Sequence, residues 1–194
     1  MKLRFLAVVA VVAAFTCTIT AHAQVGLYLN PVATRISNSV GDTGPYAFLG
    51  QNSKSQMFYG VDFGGYYDFF HGTKLNAGFD MRDSIVHGNN AMLNSFLVGV
   101  RVSGKPFDRP FKPYLQGSVG AGSSRAPTGG AKTTRAQYGL FAGVDYPIAK
   151  HVDFRILEVG YSSLTTVSSE TIGGTSTVPA SKLLNFSTGL VFRF

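Results

Sequence analysis

The stretch Asn185-Phe-Ser-Thr-Gly-Leu-Val-Phe-Arg-Phe194 decides how the rest of the chain is read. Phe186, Thr188, Leu190, Phe192 and Phe194 alternate with Asn185, Ser187, Gly189, Val191 and Arg193. A period of two means a strand with two unlike faces. In a soluble sheet the greasy face would meet a core. Here the chain ends on an exposed aromatic, so the expectation is a terminal strand whose greasy face meets lipid.

Composition points the same way. Apolar residues make up 45% of the 194 residues and charged residues 14%, with 23 glycines. A soluble domain carries about 25% charge. Beyond the N-terminus no uncharged apolar run reaches the roughly 18 residues that a membrane helix needs. The hydrophobicity is spread over short alternating pieces instead.

The N-terminus reads as an export signal. Lys2 and Arg4 form a basic start, 6–15 is an apolar run, and Ala21-His22-Ala23 is a small-x-small cleavage site before Gln24. The expectation is a cleaved signal over 1–23 and a single mature domain over 24–194. The only cysteine, Cys17, leaves with the signal, which excludes disulfides and thiol chemistry from the mature chain. Losing Lys2 and Arg4 from 17 basic residues leaves 15 against 10 acidic ones, a net charge of +5.

Working backward from the last segment, seven more amphipathic pieces appear, at about 25–36, 56–69, 74–86, 91–103, 112–123, 136–146 and 152–161. Pro31 predicts a bulge or edge-like irregularity in the first. The seventh loses its phase at Leu157-Glu158, which predicts a bulge there. The connections at 37–55, 124–135 and 162–181 read as polar loops, and those at 71–73 and 147–151 as tight turns. Long and short connections segregate to opposite ends, so the chain reads as an up-and-down meander. Tilted strands of about 10 residues can span a bilayer. Open sheet edges cannot sit in lipid, so the last strand must close on the first. The fold class expected is all-β: an eight-stranded antiparallel transmembrane barrel.

The charges say which face is inside. Asp62, Asp80, Arg82, Arg101, Asp145, Arg155 and Arg193 share the glycine-rich face, and Glu158 follows at the predicted bulge. The other face is almost free of charge, Asp83 being assigned near a strand end. A soluble barrel of lipocalin type would reverse this arrangement. An eight-stranded interior is just wide enough for side chains, so charges of both signs predict a salt-bridged, plugged lumen. Tyr67, Phe69, Tyr146, Phe154, Phe192 and Phe194 form one outward aromatic girdle, and Tyr59 and Tyr138 belong to a second.

In this pattern, in Phe111-Lys-Pro-Tyr-Leu-Gln-Gly-Ser-Val-Gly120, and in Ser187-x-Gly189-x-x-Phe192-x-Phe194, the chain resembles the OmpA/OmpX-type family of eight-stranded outer-membrane barrels. The resemblance spans 25–194. It implies residence in the bacterial outer membrane as a monomer. It also implies an assembly signal, carried by Ser187, Gly189, Phe192 and Phe194, that is read by the barrel-assembly machinery. Unlike full-length OmpA, the sequence ends at the barrel, so no cell-wall tether is implied.

Other chemistry has less support in the residues. Some small barrels modify lipids with a His/Ser pair at the outer rim. Here only His87 is near that rim, with Asp83 and Ser84 nearby, and residues three apart on a strand face opposite ways. No His/Cys cluster suggests a metal, no glycine-rich loop opens a helix for phosphate, and an exported barrel has no call for nucleic acid. No cofactor is expected. Arg125, Lys132, Arg135 and Lys182 fall at the loop end, where they could contact lipopolysaccharide phosphates. The expected role is structural or surface-interacting through the loops, with a small pore or a lipid-modifying rim enzyme as alternatives.

Overall fold

Each period-two segment becomes a strand. The computed structural model describes residues 24–41, 47–104, 110–127, 132–166 and 180–194. The signal segment, with Lys2, Arg4 and Cys17, lies outside the described residues. The strands are β1 (Gln24–Ser37), β2 (Ser55–His71), β3 (Leu75–Gly88), β4 (Ala91–Gly104), β5 (Lys112–Arg125), β6 (Lys132–Ala149), β7 (Val152–Leu164) and β8 (Ser181–Arg193). Every neighbour is antiparallel, and β8 pairs with β1 to close the ring. The closure runs from Gly26 opposite Arg193 to Ser37 opposite Lys182. Phe194 adds a last bond, its N–H donating to the Val25 carbonyl at 2.9 Å.

Alternation decides what each residue meets. Leu29, Phe63, Phe79, Met81, Phe96, Leu115, Val119 and Leu140 are exposed on the outer wall. Their inward neighbours Asn30, Asp62, Asp80, Arg82, Gln116 and Phe141 are buried. A continuous apolar wall of this extent does not face water on a monomeric soluble protein. It fits a hydrocarbon belt, and a closed ring leaves no backbone edge to desolvate there. The aromatics expected in the girdles are on this wall, with Tyr59, Tyr67, Phe69, Tyr138, Phe192 and Phe194 exposed.

Several local expectations change. Pro31 makes no bulge, since it pairs with Val61 without a register shift, but the expected irregularity is present: the β1–β8 ladder skips Asn30 and Pro31 and resumes in the same register at Val32. Its missing N–H interrupts one ladder only locally. The segment 124–135 is not all loop. β5 continues to Arg125 and β6 begins at Lys132, the two residues pairing with each other, while 128–131 lie outside the described residues. Asp83 is not near a strand end either. It sits mid-strand on the outer wall, between Phe63 on β2 and Phe96 on β4.

The bulge at the seventh segment is present, as a register shift between Arg155 and Glu158 against β8. Ile156 and Leu157 are both exposed, and the extra residue turns Glu158 inward. The β3–β4 connection is a two-residue turn with Asn89 and Asn90 at φ 50° and 58°. Asparagine tolerates this left-handed pair, which matches the twist of a hairpin.

Candidate functional site

The lumen is built in two storeys, and the lower one is ionic. Arg82 on β3 forks onto Glu158 on β7, Nη1 to Oε1 at 2.6 Å and Nη2 to Oε2 at 2.7 Å. Arg155 donates from Nε to Asp145 Oδ1 at 2.9 Å and lies 3.3 Å from Glu158 Oε2. Arg101 completes the chain, with Nη2 2.8 Å from Asp145 Oδ2. Asp80 accepts from Gln116 Nε2 at 2.7 Å and from the Tyr28 hydroxyl at 3.1 Å. The Tyr114 hydroxyl donates to Glu158. Charges this deep are tolerable only when paired and hydrogen-bonded.

Aromatic rings interleave these guanidiniums. Arg101 lies between Tyr66 and Tyr114, 4.0 and 4.2 Å from their centroids. Arg155 lies 4.7 Å from both Tyr114 and Tyr28. Arg82 lies 4.2 Å from Phe141 and 5.5 Å from Tyr28. Cation and ring thus alternate across the barrel, each ring face meeting a charge it attracts.

Glycine makes the slots. A Cβ on Gly26 would run into Tyr66, on Gly64 into Tyr28, on Gly143 into Tyr114 and on Gly160 into Phe141. Each of these rings therefore occupies space that a side chain at the glycine would need. The glycine-rich inner face is what lets aromatic rings fit into so narrow a barrel.

The upper storey is apolar. Val32, Ile36, Phe58, Val86, Leu93, Leu164 and Leu183 cluster with Phe48 and Leu49 from the β1–β2 connection. Phe48 stacks on Phe58 with centroids 5.1 Å apart and planes 12° from parallel. The 37–55 segment is therefore not wholly a polar surface loop, because 47–49 fold down into the mouth. The apolar run Tyr46-Ala47-Phe48-Leu49 inside an otherwise polar connection was the available signal, but it carries no strand or helix period that would say where it packs.

Between the storeys lies a cavity with room for about one water. Thr34, Asp62, Ser84, Ser95, Gln137 and Asn185 are among its lining residues.

The structure brings together Asp62, Asp80, Arg82, Arg101, Asp145, Arg155 and Glu158 from the expected network, all buried. Arg193 does not join them. It lies at the turn-end rim, its Nε 2.9 Å from Asp153, which also holds Lys112 at 2.9 Å. Asp153 and the stacking tyrosines were legible only as inward-facing positions, because pairing across the barrel has no sequence signal.

The C-terminal motif divides by face. Phe192 and Phe194 are on the outer wall, while Ser187 is buried and donates to Glu158 Oε1 at 3.2 Å. Gly189 lies where a Cβ would meet the Leu29 carbonyl and Asn30 on β1. At the loop end, Arg125, Lys132 and Lys182 continue the outward alternation and are exposed. Arg135 is exposed too, but follows the lumen-side parity of Gln137. Ser84 lines the inner cavity while His87 is exposed, on a strand where their spacing sends them to opposite faces. The two do not form a nucleophile–base pair.

No family model matches the chain, and no curated protein matches it in sequence. Solved structures do match in fold. Neisserial surface protein A aligns over 90% of this chain and 100% of its own, with a TM-score of 0.60 and 15% identity. Ail, the attachment invasion locus protein of Yersinia pestis, aligns over the same shares with a TM-score of 0.53 and 10% identity. Ail in complex with the heparin analogue sucrose octasulfate gives 0.54 and 9%. The chain has the fold of the eight-stranded outer-membrane β-barrels, and with its apolar belt it is an integral outer-membrane barrel.

Proposed function

We propose that this protein is a non-conducting, non-enzymatic barrel whose working surface is its extracellular loop end. The observation that carries this reading is the filled lumen. The Arg82–Glu158 lattice occupies the lower storey and Phe48 and Leu49 cap the apolar upper one. A pore needs a continuous aqueous path, and catalysis at the rim needs a base beside its nucleophile. Neither arrangement is supported by the positions of these residues. What remains for contact with the outside is the rim.

At that rim Arg125, Lys132 and Lys182 suit the phosphates of lipopolysaccharide, at the level where outer-leaflet headgroups lie. Ail has been captured with a sulfated ligand, and the exposed cations here suit anions of that general kind. The outward Phe192 and Phe194, with Ser187 and Gly189, serve in this reading as the address for the barrel-assembly machinery. The barrel acts as a monomer.

Planar-bilayer recording tests the central claim. Purified barrel should give no reproducible single-channel step, and a regular step would sink the reading. Binding to vesicles containing lipopolysaccharide, over plain phospholipid, should weaken when Arg125, Lys132 and Lys182 are replaced by glutamine. Unchanged binding would remove the cation rim from the account.

A further inference from the structure

We propose that Asp68 is the docking site for the amino terminus that export creates. The proposal rests on the expected cleavage after Ala23, which leaves Gln24 first in the chain. Its backbone nitrogen, an uncharged amide in the precursor, becomes an ammonium.

The register places that charge. β1 begins at Gln24, directly opposite Asp68 on β2. Val25 exchanges backbone bonds with Phe194 at the end of β8. Backbone groups of successive strand residues point to opposite neighbours, so the Gln24 nitrogen points the other way, at β2. Paired residues share a face of the sheet, and Asp68 is buried on the lumen side, 3% exposed.

The row across the sheet shows why this carboxylate suits an ammonium. It runs from Gln24 through Asp68 to Gly78 on β3 and Arg101 on β4. Gly78 offers no side chain. Arg101 and His71 act on Asp68, but Arg101 makes its close contact, 2.8 Å, with Asp145. His71 and Lys74 are exposed at the β2–β3 turn, and Lys112 and Arg193 hold Asp153.

A buried carboxylate is costly until it is paired and hydrogen-bonded. An ammonium has three donors where the precursor amide has one. One donor serves the β2 backbone, and another is left for the carboxylate of the facing residue. The pair fixes the first residue of β1, the strand on which β8 closes the ring. Removal of the signal thereby tightens the barrel beside its seam.

Mature chains starting at Gln24 and at Ala23 are released from a cleavable tag and refolded into detergent micelles, each with Asp68 intact and as Asp68→Asn. The Ala23 start moves the ammonium one residue beyond the pair. It should lower the folding equilibrium constant, read by urea titration, about tenfold in the native background and leave Asp68→Asn nearly unchanged. Equal losses in both backgrounds overturn the proposal. Should Asp68→Asn not fold, acylation of the terminal amine near neutral pH decides between the two native chains. Only the neutral amine reacts, so the Gln24 terminus should react about tenfold more slowly, and equal rates remove the pair. Mass spectrometry of the exported protein should show an intact Gln24 amine. A start elsewhere fails the cleavage reading, a terminus cyclised to pyroglutamate has no ammonium to dock, and either result overturns the proposal.

Discussion

Arg82 and Glu158 lie 76 positions apart in the chain yet meet in a bidentate fork at 2.6 and 2.7 Å inside the barrel. The contact exists because the β7 bulge turns Glu158 inward at the level where β3 presents Arg82. Removing one partner leaves the other buried and unpaired. Arg82→Met alone should cost about 3–5 kcal/mol. The Arg82→Met/Glu158→Leu double variant should be milder than the sum of the two singles, with a coupling of about 1–3 kcal/mol. Urea titration of the refolded barrel checks this, and additive losses would mean the fork contributes nothing as a pair.

Tyr114 rests against Gly143, where a Cβ would come 2.5 Å from its hydroxyl. Gly143→Val should push the ring away from Arg101, Arg155 and Glu158 together. A loss of about 1–3 kcal/mol is expected for the overpacking, and Tyr114→Ala in the same background should cost less than it does alone. Equal costs of Tyr114→Ala in both backgrounds would break the link between slot and ring.

Phe48 is the cap of the apolar storey. Phe48→Ala removes its stack on Phe58 and should destabilise by about 3 kcal/mol or somewhat less, since the loop can partly collapse. Amide exchange at the upper ends of β1 and β2 should rise while exchange around Glu158 stays unchanged. Unchanged exchange at the mouth would show that the cap does not hold it closed.

Asp83 puts a carboxylate on the lipid-facing wall between Phe63 and Phe96. Lipid-face charge is costly in proportion to depth, and acids cost less than bases. Asp83→Leu should therefore stabilise the barrel in bilayers by about 1 kcal/mol. A destabilised variant would point to a polar contact for Asp83 that this placement does not explain.

Phe194 is 63% exposed and makes its backbone bonds with Val25. Deleting it should reduce insertion in cells severalfold while changing the midpoint of barrel refolded in detergent by only a few degrees. Comparing membrane-inserted yield with in vitro stability tests this, and equal losses in both would make the residue purely structural.

The strands and their faces were legible because lipid and a narrow lumen impose opposite demands on alternate residues. Phe79, Met81 and Leu115 show it outside, and Asp80, Arg82 and Gln116 inside. Even the β7 bulge showed as a break in that alternation at Leu157-Glu158. The polar set of the site was likewise visible, as charges concentrated on one face, with Asp83 the mid-strand exception on the other.

Partnership was not legible. That Arg82 takes Glu158, that Arg193 goes to Asp153 at the rim, and that Phe48 descends onto Phe58 all depend on strand stagger and on the path of one loop. Local sequence therefore determined which residues face lipid and which face each other, since alternation is a property of one strand. Which inward residues touch was decided only when eight strands closed at a fixed stagger, because closure sets the relative heights of side chains far apart in the chain.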